Sequence, residues 1–187
     1  MKKLLVFIVL MSAFSVNLNA QELRKPADGK ALIYFTRTST AAALVKFSFY
    51  HQDKYLGKFN GGKFLVYEVD PGEHLFWVRS ENAVFLDANV QAGGVYIVDT
   101  TVKVGAVKAA VKIVPLDKNH KKYEKQLKRI NKLLAKNKEQ VFTEEERATE
   151  STRTADMITR VLGKYEDKKS KGKVVQLTSD MYHVLHQ

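Results

Sequence analysis

Three carboxylates crowd one short stretch: Glu68, Asp70 and Glu73, with Pro71 and Gly72 among them. Two carboxylates lining one cleft can divide acid and base duty between them. That chemistry would make the chain a carbohydrate-active enzyme or another hydrolase. Carboxylates around a Pro-Gly pair also serve as plain turn residues. The remaining groups with obvious chemistry are five histidines: His51, His74, His120, His183 and His186. His183 and His186 stand three apart, with Asp180 one turn earlier, a loose spacing for a zinc-like ion. The plainer explanation is a pair of solvated histidines near the end of the chain, and no metal site or cofactor is assigned. The chain has no Gly-x-Ser-x-Gly elbow, P-loop or dinucleotide fingerprint. No catalytic residue is assigned either.

The densest functional signal is cationic. Of the formal charge of +11, most sits late in the chain, and Asp117 to Lys138 carries nine basic residues against two acidic ones. Lys118 to Gln140 has high helix propensity and no glycine or proline. Its apolar residues Tyr123, Leu127, Ile130, Leu134 and Val141 form a narrow stripe at helical spacing. Lys121, Lys122, Lys125, Lys128, Arg129 and Lys132 take the broad opposite side. Such a side suits an anionic glycan or lipid, or an acidic envelope protein, while a solvated helix face is the bland alternative.

The compartment narrows the choice. Lys2 and Lys3 precede an apolar run from Leu4 to Val16, and Asn17-Leu18-Asn19-Ala20 ends in a small residue. This is the pattern of a secretory signal peptide cleaved before Gln21. The run falls short of the roughly 20 residues that a spanning helix needs, so no transmembrane segment is expected after cleavage. Export makes nucleic acid the least suitable anionic partner and points to a periplasmic or secreted protein. The chain has no cysteine. That removes disulfides, thiolate chemistry and a lipid-anchor cysteine, and leaves apolar burial to stabilise the fold.

The elements that must hold these groups are mostly strands. Short runs rich in β-branched and aromatic residues cover 30–37, 44–51, 54–59, 63–69, 74–80, 83–90, 95–104 and 106–114. The last of these could instead be helical. Asn60-Gly61-Gly62 is a hairpin signal. At Asp70-Pro71-Gly72-Glu73 a type II turn is predicted, which splays strands rather than pairing them. We therefore expect an arch between two facing sheets there, with a plain hairpin as the alternative. Tyr34, Tyr50, Tyr67, Phe76 and Trp77 could form a carbohydrate platform, but aromatics at strand spacing are usually core. Thr143-Glu144-Glu145-Glu146 has the form of a capping box and should start a second helix running to about Lys168. Val174 to Leu177 suggests a short strand, and Ser179 a final short helix.

Residues 30 to 116 resemble an uncharacterised bacterial family of exported or lipid-anchored proteins, domain of unknown function 2846. The resemblance rests on Ala31-Leu32-Ile33-Tyr34 with Arg37, on Tyr55-Leu56-Gly57, on Pro71-Gly72-Glu73-His74 and on Gly94-Val95-Tyr96. It implies a β-sandwich in an envelope compartment and brings no activity with it. The chain departs from the family in lacking the lipid-anchor cysteine and in its basic helical tail. The expected organisation is a signal peptide (1–20), a linker (21–29), a β-sandwich of about eight antiparallel strands (30–116) and a C-terminal α-helical appendage (117–187). The expected role is binding or assembly at the cell envelope, with hydrolysis near the Asp70–Glu73 turn as the alternative.

Overall fold

The structure, a computed structural model, describes residues 23–103 and 110–183. The expected signal peptide, residues 104–109 and His186 lie outside the described residues. Among those described, nine strands form two mixed sheets. One holds β1 (Ala31–Arg37), β4 (Lys63–Val69), β7 (Val95–Lys103) and β8 (Ala110–Pro115) in the order β4-β1-β7-β8. The other holds β2 (Phe47–His51), β3 (Lys54–Phe59), β5 (Gly72–Arg79), β6 (Ala83–Val90) and β9 (Val175–Leu177) in the order β3-β2-β5-β6-β9.

Strand alternation sorts the side chains. Ile33 and Phe35 of β1, Leu65 of β4 and Val98 of β7 share one apolar cluster with Phe49, Phe76 and Leu86 of the other sheet. The intervening residues of the first sheet, Leu32, Tyr34, Phe64, Val66 and Ile97, form a second cluster with Ile130, Leu133 and Leu134 of helix α1 (Tyr123–Lys136). Tyr50, Tyr55, Trp77 and Phe85 leave the second sheet on its other side and pack with Ile158. Ile158 belongs to α3 (Ala155–Leu162), which lies between α2 (Glu144–Arg153) and α4 (Tyr165–Ser170). Both sheets are therefore apolar on both faces, which is why the strands read as near-continuous hydrophobic runs rather than as clean alternation. The aromatics weighed as a carbohydrate platform are core, the reading preferred at strand spacing: Tyr34, Tyr50, Phe76 and Trp77 are buried, and Tyr67 is partly so.

The expected arch is present. β4 lies in one sheet and β5 in the other, and Gly72, the first residue of β5, takes φ +123°. The expected antiparallel arrangement does not hold throughout, because β1 pairs parallel with β7 and β6 with β9. The chain changes sheet after β1, β3, β4, β6 and β8. A strand arriving by such a crossing is not forced to run against its neighbour, as the second strand of a tight hairpin is. The Asn60-Gly61-Gly62 signal is likewise corrected: it spans one of these crossings, from β3 to β4, and closes no hairpin. Its glycines serve a close approach instead. A Cβ on Gly61 would stand 2.7 Å from the Ser39 carbonyl oxygen, and the Gly62 N–H donates to the Arg37 carbonyl at 2.9 Å.

The helices also depart from expectation in extent. α1 ends at Lys136, so Val141 falls outside its stripe and is exposed. The single long helix expected after Thr143 is three. The Thr154 hydroxyl donates to the Glu150 carbonyl at 2.7 Å, a back-bond that bends helices, and Gly163 closes α3. These breaks let the chain follow the sheet. The segment after Pro115 is built into the fold rather than appended to it. It covers both outer faces, supplies β9, and protects a sheet edge through Ser151 Oγ, which accepts from the Tyr55 N–H at 2.9 Å.

Candidate functional site

The cationic side of α1 emerges as the sequence predicted it, with its start shifted. Tyr123 opens the helix and Lys122 is its N-terminal cap, so Lys121 and Lys122 sit at its entrance and Lys125, Lys128, Arg129 and Lys132 along it. All six are exposed. Burial of Ile130, Leu133 and Leu134 against the sheet fixes which way they face. Among the described residues, none of the six is in an ion pair. Several cations of the later segment differ: Arg147, Arg153, Lys169 and Lys171 pair with Glu144, Glu150, Asp87 and Asp167. Arg129 has a second effect. Its charge acts on Asp99, whose pKa burial raises and whose carboxylate accepts bonds from Thr38 and Thr36.

Two of the three carboxylates around the arch are engaged elsewhere. Glu68 accepts from the Ala27 N–H at 3.0 Å and Asp70 from the Lys30 ammonium at 2.7 Å. The Lys30 hydrogen bond and charge hold the Asp70 carboxyl below its ordinary range, the opposite of what a general acid needs. Glu73 is exposed and lines a groove of about 540 Å³ with His74, Asp87 and Lys169. Asp87 in that groove accepts from the Tyr165 hydroxyl at 2.7 Å, and Lys169 donates to the same hydroxyl at 3.0 Å.

A histidine pair escaped the sequence. His51 Nε2 lies 3.0 Å from His74 Nδ1, and His74 Nε2 lies 2.8 Å from the Asp70 carbonyl oxygen. A carbonyl only accepts, so His74 donates through Nε2 and its Nδ1 receives the His51 proton. The pair thus ties β2 and β5 to the arch beside Phe76 and Tyr67. Burial first, then the charges of His74 and Lys54, lower the His51 pKa to about 4, with Asp53 opposing. The unfolded chain takes up that proton near pH 6.5. Stability from this site is therefore full above pH 6.5 and is lost as the pH falls toward 4. The expected loss is on the order of 2 kcal/mol. Thermal unfolding of the native chain and of His51→Gln at pH 7.5 and pH 4.5 checks this. The variant should show the smaller pH dependence, and equal dependence would contradict the assignment.

His183 is placed by packing. Its ring is buried and lies parallel to Tyr123 at 5.8 Å between centroids, and the His183 backbone N–H donates to the Val95 carbonyl at 2.8 Å. Asp180 accepts from the Thr178 hydroxyl. Among the described residues, no three histidine, cysteine, aspartate or glutamate side chains converge as a metal site. Among them, too, no helix is long and apolar enough to cross a membrane. No protein-family model matches this chain, and no curated protein matches it either.

Proposed function

We propose that the chain is an exported, non-catalytic module of the bacterial cell envelope that binds an anionic glycan, an anionic lipid or an acidic envelope protein through the outward side of α1. In this reading the two sheets stack as a β-sandwich and serve as a rigid support for that helix. The observation that carries the reading is the contrast in pairing. Lys121, Lys122, Lys125, Lys128, Arg129 and Lys132 face outward without carboxylate partners among the described residues, while several cations of the later helices are paired. Unpaired cations on one side of a rigid helix add their fields, and a polyanion gains from all of them at once. The narrow apolar stripe of α1 is committed to the sheet, so attraction at this side is electrostatic rather than by insertion. The resemblance of residues 30–116 to domain of unknown function 2846 belongs to the same proposal. Hydrolysis at the arch has less support, because Glu68 and Asp70 are spent on Ala27 and Lys30.

Charge reversal tests the proposal. Each basic residue near an anionic surface is worth about 1 kcal/mol. The Lys121→Glu, Lys122→Glu, Lys125→Glu, Lys128→Glu variant is therefore expected to bind phosphatidylglycerol vesicles or heparin at least 100-fold more weakly than the native chain. Native binding should also weaken as salt rises from 50 to 300 mM, on the order expected from screening. Binding that ignores both the reversal and the salt would contradict the proposal. Export has its own check. Expression of the full chain in a bacterium should yield a periplasmic or secreted product whose N-terminal residue is Gln21. An intact Met1 on cytoplasmic material would contradict it.

A further inference from the structure

The side of the molecule away from α1 carries a second cationic feature, hidden from the sequence because its parts are about 80 residues apart. A groove of about 420 Å³ runs between the β5–β6 end of the second sheet and the α3–α4 corner. Arg79 enters from the end of β5, Arg160 from α3, Lys164 from the turn between helices and Lys168 from α4. Glu81 is the one carboxylate among the lining residues, so four cations face one anion. Among the described residues none of these four cations is in an ion pair; Arg160 Nε donates only to the Asp156 carbonyl of its own helix at 3.3 Å. Lys169 and Lys171, one and three residues after Lys168, are both paired. The remaining lining is Asn82, whose side-chain amide is bonded to the Val111 backbone, and four apolar residues, Ala83, Phe85, Met157 and Val161.

We propose that this groove binds a small single-chain amphipathic anion, with the anionic head among Arg79, Arg160, Lys164 and Lys168 and the apolar part against Phe85, Met157 and Val161. Three arguments carry it. Four like charges around one cavity repel one another, and an anion between them reverses the sign of that energy. Two of the four are arginines, whose planar forks match carboxylate and phosphate oxygens. The apolar lining has no counterpart on α1, where the apolar residues face the sheet. The volume lies in the range of small-molecule sites and is too small for a folded segment. The site is separate from the α1 face: α1 packs on the first sheet and α3 on the second, with the shared cluster between them. The two proposals therefore stand or fall separately.

Titration calorimetry with dodecyl phosphate below its micelle concentration tests the site, using the chain, its Arg160→Ser, Lys164→Ser variant and the α1 charge-reversed variant. The two substituted groove residues are exposed, so both thermal unfolding curves should coincide with the native one. The expected result is one dodecyl phosphate per chain, at least tenfold weaker in the groove variant and unchanged within twofold in the α1 variant. Inorganic phosphate and dodecyl maltoside should each bind at least tenfold more weakly than dodecyl phosphate. No binding, equal binding to the groove variant, or loss in the α1 variant would overturn the proposal. Equal affinity for phosphate alone or for the uncharged maltoside would overturn its amphipathic part, and with it the assigned ligand class.

Discussion

Replacing Trp77 by alanine is expected to cost the fold about 3–5 kcal/mol, the range for emptying a buried aromatic site. The indole is fully buried. It stacks on Tyr50 at 3.8 Å between centroids with 4° between planes, and Nε1–H donates to the Gln52 carbonyl at 2.7 Å. It faces away from the other sheet, so its burial depends on α3 lying over it through Met157, Ile158 and Val161. The substitution therefore tests whether the later helices are part of the stable fold. Trp77→Phe keeps a ring against Tyr50 and loses the bond to Gln52, and should cost less, about 1–2 kcal/mol. Urea denaturation followed by circular dichroism measures both. A loss under 1 kcal/mol for the alanine variant would mean that the helices do not cover this face.

The second large effect is expected at Arg37. Its side chain is fully buried at the end of β1, and the partners found for it are three carbonyl oxygens, of Val45, Ala41 and Ala42, with the Phe47 ring 3.9 Å from the guanidinium carbon. Burial pulls its pKa below the ordinary value. Carbonyl dipoles and a ring face stabilise the charge in place of a carboxylate. They also make Arg37 the internal tie of the 38–46 segment. Arg37→Ala removes the donors from three carbonyls and leaves a cavity, an expected loss of about 3–5 kcal/mol. Arg37→Lys retains charge but not the fork, and should fall between the two. Protease cleavage between residues 38 and 46 should rise in the alanine variant before global unfolding does. If the alanine variant unfolds within 1 kcal/mol of native and resists cleavage, the tie is not what orders that segment.

What could be seen in advance was local. β3 and β6 occur at the bounds their residues suggest, because turn residues flank both runs. Pro71-Gly72 announced the arch through its own backbone preferences. The capping box was legible because its chemistry is complete within four residues: Thr143 Oγ1 accepts from the Glu146 N–H at 3.1 Å, and Glu146 Oε2 from the Thr143 N–H at 2.7 Å. The cationic side of α1 was legible for the same reason, since helical spacing alone separates it from Ile130 and Leu134.

The failures were of long range. Asn60-Gly61-Gly62 has the composition of a hairpin turn, and nothing nearby reveals that Ser39 presses against Gly61. The parallel pairing of β1 with β7 depends on which crossings the chain makes, and turn chemistry does not encode that. The stretch after Thr143 reads as one helix because propensity is high throughout, while the bends at Thr154 and Gly163 follow the sheet beneath. His51 and His74 meet only once the register sets His51 opposite Phe76. The groove cations are an extreme case, with Arg79 on a strand and Lys168 on a helix brought together by the packing of Phe85 under Tyr165.

The claim on which the functional account rests is that α1 meets an anionic partner with its outward side. Amide chemical-shift mapping of the labelled chain, titrated with a heparin oligosaccharide or phosphatidylglycerol nanodiscs, tests this most directly. The account predicts the largest shifts at Lys121, Lys122, Lys125, Lys128, Arg129 and Lys132, and little change across β1 to β8. Shifts concentrated on the strands or the arch, with residues 121–132 unmoved, would contradict it.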